Sequence, residues 1–266
     1  MSVAVFVGCL GFSIWLALAA IVMWCRDTGF RGRDVWAGLT IRCFQVYARL
    51  MHRPSVDGLE HVPERTPEGL GERPLIVIAN HTAGVDPVLI QSVLAFEARW
   101  IMAADMRVPA LDWLWEFGRV IFVDREKGDA MALREALRHL KQGLTLGVFP
   151  EGNIERPPRR ILPFEEGAAM LAIRSGALVL PVIIEGTPQA DPAWASLWKS
   201  SRSRLRFLPR IDAKALGLRP AALAEHLREV YLRETGWPKN DNPPRFVEGV
   251  WLYADEHGRY TPAIPK

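Results

Sequence analysis

Between Val3 and Trp24 the chain carries no charged side chain, and Ser13 is its one clearly polar residue. As a helix this run would rise about 33 Å, against roughly 30 Å of bilayer hydrocarbon. A cleaved signal peptide is one reading, but such a peptide has a basic residue ahead of a shorter apolar core. Here nothing basic precedes the run, so a retained membrane helix is the expectation. Arg26, Arg31 and Arg33 follow it, and positively charged flanks stay on the cytoplasmic side. The rest of the chain is therefore expected on the cytoplasmic face of the cell membrane. From Asp34 to Met51, Trp36, Leu39, Phe44, Tyr47, Leu50 and Met51 recur at helical intervals, with Arg42 and Arg49 among them. Such an amphipathic helix either lies in the interface beside the first helix or packs as an ordinary core helix. Residues 1–52 thus read as an N-terminal membrane-associated element with the lipid bilayer as its partner.

Of the 266 residues, 49% are hydrophobic and 24% charged, which excludes a disordered chain. The net charge of +3 comes without the dense basic face or reading motif of a nucleic-acid binder, so no nucleic-acid partner is expected. Cys9, Cys25 and Cys43 have no CxxC or Cys/His spacing, which supports neither a disulfide framework nor a zinc site.

After Pro54 short apolar runs alternate with helical stretches. Leu75–Ala79, Trp100–Ala103, Val120–Val123, Thr145–Phe149 and Leu178–Ile184 read as strands, and Arg204–Leu208 as an edge strand. Helices are expected over Pro87–Phe96 (with Asp86 as N-cap), Leu111–Phe117, Asp129–Gln142, Glu165–Arg174 and Pro220–Glu234. Strands alternating with helices give an α/β domain with a mostly parallel sheet flanked by helices, over residues 53–236. Residues 237–266, rich in Pro, Gly and polar side chains, read as an irregular tail.

Open α/β sheets bind ligands beyond the carboxyl ends of their strands. His81 follows the first such strand directly, in N-H-T-A-G-V-D-P, and Asp86 lies five residues on. A loop of that length can fold back, so that the carboxylate fixes one imidazole nitrogen and leaves the other to take a proton from a hydroxyl. The same spacing recurs at His52 and Asp57, but in a Pro-containing connector with no strand before it, so that copy reads as chance. A second strand ends at Asp124 and Arg125, where a guanidinium can hold a phosphate or carboxylate or simply form a surface ion pair. A third leads into Phe149-Pro150-Glu151-Gly152, where a carboxylate can accept bonds from a hydroxylated substrate and the glycine permits close backbone approach. Leu180–Gly186 carries a buried strand into a turn. Trp113, Trp115 and Phe117 suit an acyl groove, the interface or ordinary packing. Arg202, Arg204, Arg206 and Arg210 read as the solvent face of a strand, with a docking face for an acidic carrier or lipid head groups as the alternative.

Taken in order, the N-H-x4-D, G-x-V-I-F-V-D-R, F-P-E-G and L-P-V-I-I-E-G segments resemble the glycerolipid acyltransferase family that includes the 1-acyl-glycerol-3-phosphate acyltransferases. The resemblance implies an α/β domain with an N-terminal membrane-associated helical element, and a reaction without metal, cofactor or covalent acyl-enzyme. It implies His81 as general base and Asp86 as its orienting partner, with Asn80, Arg125, Glu151, Gly152 and Arg156 on the substrate side. The donor would be acyl-CoA or acyl carrier protein. The leading acceptor is 1-acyl-glycerol-3-phosphate, with another lysophospholipid or a hydroxylated or amino lipid as runner-up. A non-catalytic lipid-binding relative and a thioester hydrolase are the rival classes. The family's third block ordinarily continues with a small residue and then arginine. Here Asn153, Ile154 and Glu155 intervene before Arg156, with Arg159 and Arg160 beyond, and the stretch Met102–Met106 lacks an expected lysine.

Overall fold

A computed structural model describes residues 3–124, 129–156, 158–247, 250–255 and 257–262, with the side chains of residues 3–9 and 246 outside the description. The first helix, α1 (Val3–Arg26), is followed by a short turn α2 (Phe30–Arg33) and by α3 (Val35–Tyr47). Asp34 caps α3 by accepting from the Ala37 N–H. Helices α1 and α3 pack so closely that a Cβ on Gly38 would lie 2.0 Å from the Cys25 carbonyl oxygen. Among the described residues no helix is long and apolar enough to cross a membrane, so the expected spanning first helix has no support there.

The α3 helix ends in one π-helical turn, Ala48–His52, and the chain enters β1 (Ser55–Asp57). Then follow β2 (Leu75–Ala79), α4 (Asp86–Val93), β3 (Arg99–Ala103), α5 (Asp112–Phe117), β4 (Ile121–Val123), α6 (Ala130–Lys141) and β5 (Thr145–Val148). The domain closes with α7 (Glu166–Ser175), β6 (Leu178–Glu185), β7 (Arg204–Phe207), β8 (Ile211–Asp212) and α8 (Pro220–Thr235). The main sheet has the order β1-β7-β6-β2-β5-β3-β4, with β8 beside β6. Strands β6, β2, β5, β3 and β4 run parallel, whereas β7 and β8 are antiparallel to β6.

Strand periodicity sorts the core into two layers. Leu75, Val77 and Ala79 face α4 and pack with Leu89 and Ile90, while Ile76 and Ile78 point the other way, onto α6, α7 and α8. The chain leaves β2 for α4 on one face and leaves β5 for α7 on the other. That reversal opens a crevice at the carboxyl ends of β2 and β5, the topological switch point of the sheet.

Two expectations need correction. Arg204–Leu208 is not an edge strand, because β1 pairs with β7 outside it; Pro54 stands just before β1 and so leaves that pairing free. The tail is not wholly irregular. It forms an antiparallel sheet, β9 (Arg245–Val247), β10 (Val250–Ala254) and β11 (Tyr260–Thr261). The β10–β11 turn is stabilised by Asp255, which accepts from the His257 and Arg259 N–H groups.

Candidate active site

The loop from β2 to α4 is bound to its surroundings at nearly every residue. At its base, Asn80 is fully buried and exchanges two bonds with Ile184 of β6, of 3.0 and 2.8 Å. One turn deeper, the Tyr231 hydroxyl of α8 donates to Ile78 and accepts from the Val182 N–H. Both side chains splint β2 to β6 where the strands leave their ladder. Asn80 therefore holds the loop and does not touch substrate as expected, since no surface of it is open.

The His81 ring is one-fifth exposed, at 19%, and its Nδ1 lies 2.9 Å from Oδ2 of the fully buried Asp86. The same oxygen accepts from the Thr82 and Ala83 N–H groups at 2.7 and 2.8 Å. Asp86 is thus not the N-cap of α4. It occupies the first turn of the helix, with Pro87 next to it, and its carboxylate turns back into the preceding loop. An oxygen that already accepts from two backbone N–H groups meets Nδ1 as an acceptor, which places the ring proton on Nδ1 and the lone pair on Nε2. No described residue bonds Nε2.

Glu151, at the end of β5, is buried rather than presented to substrate. Its Oε1 accepts from the His81 N–H at 3.2 Å and its Oε2 from Leu162 at 3.4 Å. Burial pushes its carboxyl up to about 8, against the pull of those two N–H bonds. It shapes the loop that carries His81. Gly152 follows with φ 64°, the left-handed conformation that a turn into the next segment needs.

Arg156 is also not on the substrate side. It is buried, and its guanidinium donates to the carbonyls of Thr82, Glu155 and Ala190. Glu155 beside it is fully buried with neither carboxyl oxygen bonded, although its N–H donates to the His81 carbonyl at 2.7 Å. Burial first, and then the neighbouring Glu151, push its carboxyl up to about 10. Arg125 lies outside the described residues. Arg159 is exposed and Arg160 partly so, and neither makes a bond with a described residue.

The second H-x4-D copy falls apart in space. His52 is buried with its ring between Tyr47 Oη and Ser201 Oγ, both at 2.8 Å, whereas Asp57 pairs with Arg204. Arg206 meets Glu234, so Arg204 and Arg206 are strand-face ion-pair residues.

Sequence reasoning missed an aromatic stack. The His81 ring lies on Phe149, with centroids 4.1 Å apart and planes at 19°, and Phe149 lies on Trp100, at 5.2 Å and 18°. A signal for it existed in Gly147, a lone glycine inside a strand, which marks a bulge or a close approach.

A carboxylate-paired imidazole thus stands in a tightly held loop at the switch point of an α/β sheet. The profile of the Acyltransferase family matches residues 53–185, half of the chain, and the chain belongs to that family. Its relatives include 1-acyl-sn-glycerol-3-phosphate acyltransferase of Saccharomyces cerevisiae, 26% identical over 96% of this chain and 85% of the relative. N-acylphosphatidylethanolamine synthase of Arabidopsis thaliana is 32% identical over 54% of this chain. The chain spans about half the length of several curated relatives, 56% of that synthase and 51% of a Borreliella burgdorferi 1-acyl-sn-glycerol-3-phosphate acyltransferase. The solved structure of the 1-acyl-sn-glycerophosphate (LPA) acyltransferase PlsC from Thermotoga maritima superposes with a TM-score of 0.59 at 25% identity, covering 84% of this chain and 91% of that one.

Proposed function

We propose that the protein moves a fatty acyl group from acyl-CoA or acyl carrier protein to the hydroxyl of a lysolipid, with 1-acyl-glycerol-3-phosphate as the leading acceptor, in phospholipid biosynthesis. The observation that carries this reading is the His81–Asp86 pair, with Nε2 bonded to none of the described residues, at the mouth of the crevice. Nε2 takes the acceptor's hydroxyl proton as the oxygen attacks the thioester carbonyl. Asp86 supports the imidazolium through Nδ1–H. The tetrahedral intermediate collapses with loss of thiolate, which recovers the proton from Nε2. No metal or cofactor enters this scheme.

A second acceptor class is favoured by one specific observation. Arg156 is spent on backbone carbonyls, so an acceptor's phosphate would have to be met by Arg159, Arg160 or Arg125. One relative is named as an N-acylphosphatidylethanolamine synthase, which makes a phospholipid amine the second acceptor to test. The test is to incubate the protein with labelled acyl-CoA, lysophosphatidate, other lysophospholipids and phosphatidylethanolamine, and to identify the product by mass. Phosphatidate as dominant product is expected. An N-acylated lipid would select the second reading, and acyl-CoA loss independent of acceptor would replace both with a hydrolase.

The N-terminal element fits a place on a lipid surface at the cytoplasmic face of the cell membrane. Along α1, Phe12, Trp15, Leu18 and Met23 are more than half exposed, as are Trp36 and Leu50 beyond it. Apolar surface on that scale marks an interaction site, and a helix pair can enter the head-group layer without crossing it. The full chain should float with anionic vesicles in a density gradient. Replacing Phe12, Trp15, Leu18 and Trp36 together with serine should leave it at the bottom; equal flotation of both proteins would refute the assignment.

A further inference from the structure

We propose that Phe149 and Trp100 form an aromatic pedestal that fixes the plane of the His81 ring and stabilises the positive charge this ring acquires during transfer. The inference rests on the reading of His81 as general base. Asp86 pins the ring at Nδ1, but a single hydrogen bond leaves it free to swing about that axis. The face of Phe149 at 4.1 Å removes this freedom, because the two planes lie within 19°. Trp100 backs Phe149 in turn, at 5.2 Å and 18°.

The pedestal explains two local disadvantages. Gly147 sits inside β5, directly opposite Trp100 of β3, where glycine weakens a strand. A Cβ there would stand 2.5 Å from the indole, so only glycine lets the ring lie flat across the sheet. The indole Nε1 is buried without a hydrogen-bond partner, although buried N–H groups are ordinarily paired. The position thus uses the aromatic face of Trp100 and not its donor. Local rules broken together beside a site point to function.

The charge argument gives the direction of the effect. An aromatic face carries negative electrostatic potential and attracts a cation above it. His81 is neutral when the acceptor binds and cationic as the bond forms, so the attraction appears in the transition state and not in the Michaelis complex. Its loss should lower kcat and leave KM little changed. Phe149 and Trp100 are positioning residues, since they act through His81.

The experiment compares full-length wild type with Phe149→Leu, Phe149→Met, Phe149→Tyr, Trp100→Leu and Trp100→Phe, using acyl-CoA and the acceptor that gives product. Phe149→Leu is expected to lower kcat about tenfold, with the acceptor KM within about twofold. Phe149→Tyr should recover most of that loss, and Phe149→Met should behave as Leu does. Trp100→Leu should lower kcat about threefold, and Trp100→Phe should recover it. In NMR spectra the carbon-bound His81 ring protons should lose an upfield ring-current shift in Phe149→Leu and keep it in Phe149→Tyr. Undiminished kcat in Phe149→Leu, equal losses in Leu and Tyr, or a loss confined to KM would overturn the pedestal alone. No transfer by wild type to any acceptor would instead overturn the transferase reading on which the pedestal's charge role rests.

Discussion

Replacing His81 with alanine is expected to lower the rate of acyl transfer by about 10²- to 10⁴-fold and to leave the fold intact. The ring is partly exposed, and its one side-chain hydrogen bond runs to an aspartate that keeps two backbone donors after the imidazole is gone. The informative contrast is His52→Ala, because both histidines begin an H-x4-D segment. His52 is buried, and burial pulls its protonation below the usual imidazole range. Tyr47 Oη donates to the Leu197 carbonyl, so it accepts from Nε2–H of His52, and Nδ1 of His52 accepts from Ser201. That ring is a cross-brace between the end of α3 and the segment before β7. Its removal leaves two hydroxyls short of a partner and should lower stability by about 1–3 kcal/mol while kcat stays within a few-fold. Steady-state kinetics and thermal unfolding on the same two variants separate the outcomes. The assignment of the base is lost if His52→Ala abolishes turnover and His81→Ala does not.

The contrast also shows what a sequence can and cannot disclose. Short apolar runs bounded by turn residues place Leu75–Ala79 and the other central strands nearly to the residue, because each is buried on both faces and tolerates little else. The pairing of His81 with Asp86 was legible for a related reason, since a strand end and a following helix fix the ends of the loop between them. The roles of Asn80, Glu151 and Arg156 were not. Polar side chains beside a catalytic loop either reach the substrate or tie the loop down, and the difference lies in burial and in partners such as Ile184, Leu162 and Ala190, distant in the chain. The aromatic stack escaped for the same cause: Trp100 and Phe149 meet only through the register of β3 against β5. The short edge strand β1 was hidden by its length and by Pro54, which breaks a run that has little apolar signal of its own.

Glu155→Gln is expected to stabilise the protein, by an amount that grows with pH. The wild-type carboxyl is buried, neither oxygen has a partner, and it titrates at about 10 in the fold. In the unfolded chain a glutamate titrates near 4.3. Between those values the folded state holds a proton that the unfolded state has released, so wild-type stability falls as pH rises. The loss accumulates at about 1.4 kcal/mol per pH unit. Glutamine is neutral throughout, close to the protonated acid in shape, and carries no such slope. The two proteins should therefore unfold alike near pH 4, and by pH 8 glutamine should be the more stable by several kcal/mol. Glu151, also raised by burial, is present in both and cancels from the difference. Denaturant unfolding at pH 5, 7 and 9 measures the divergence, and parallel stability curves would show that Glu155 is ionised in the fold.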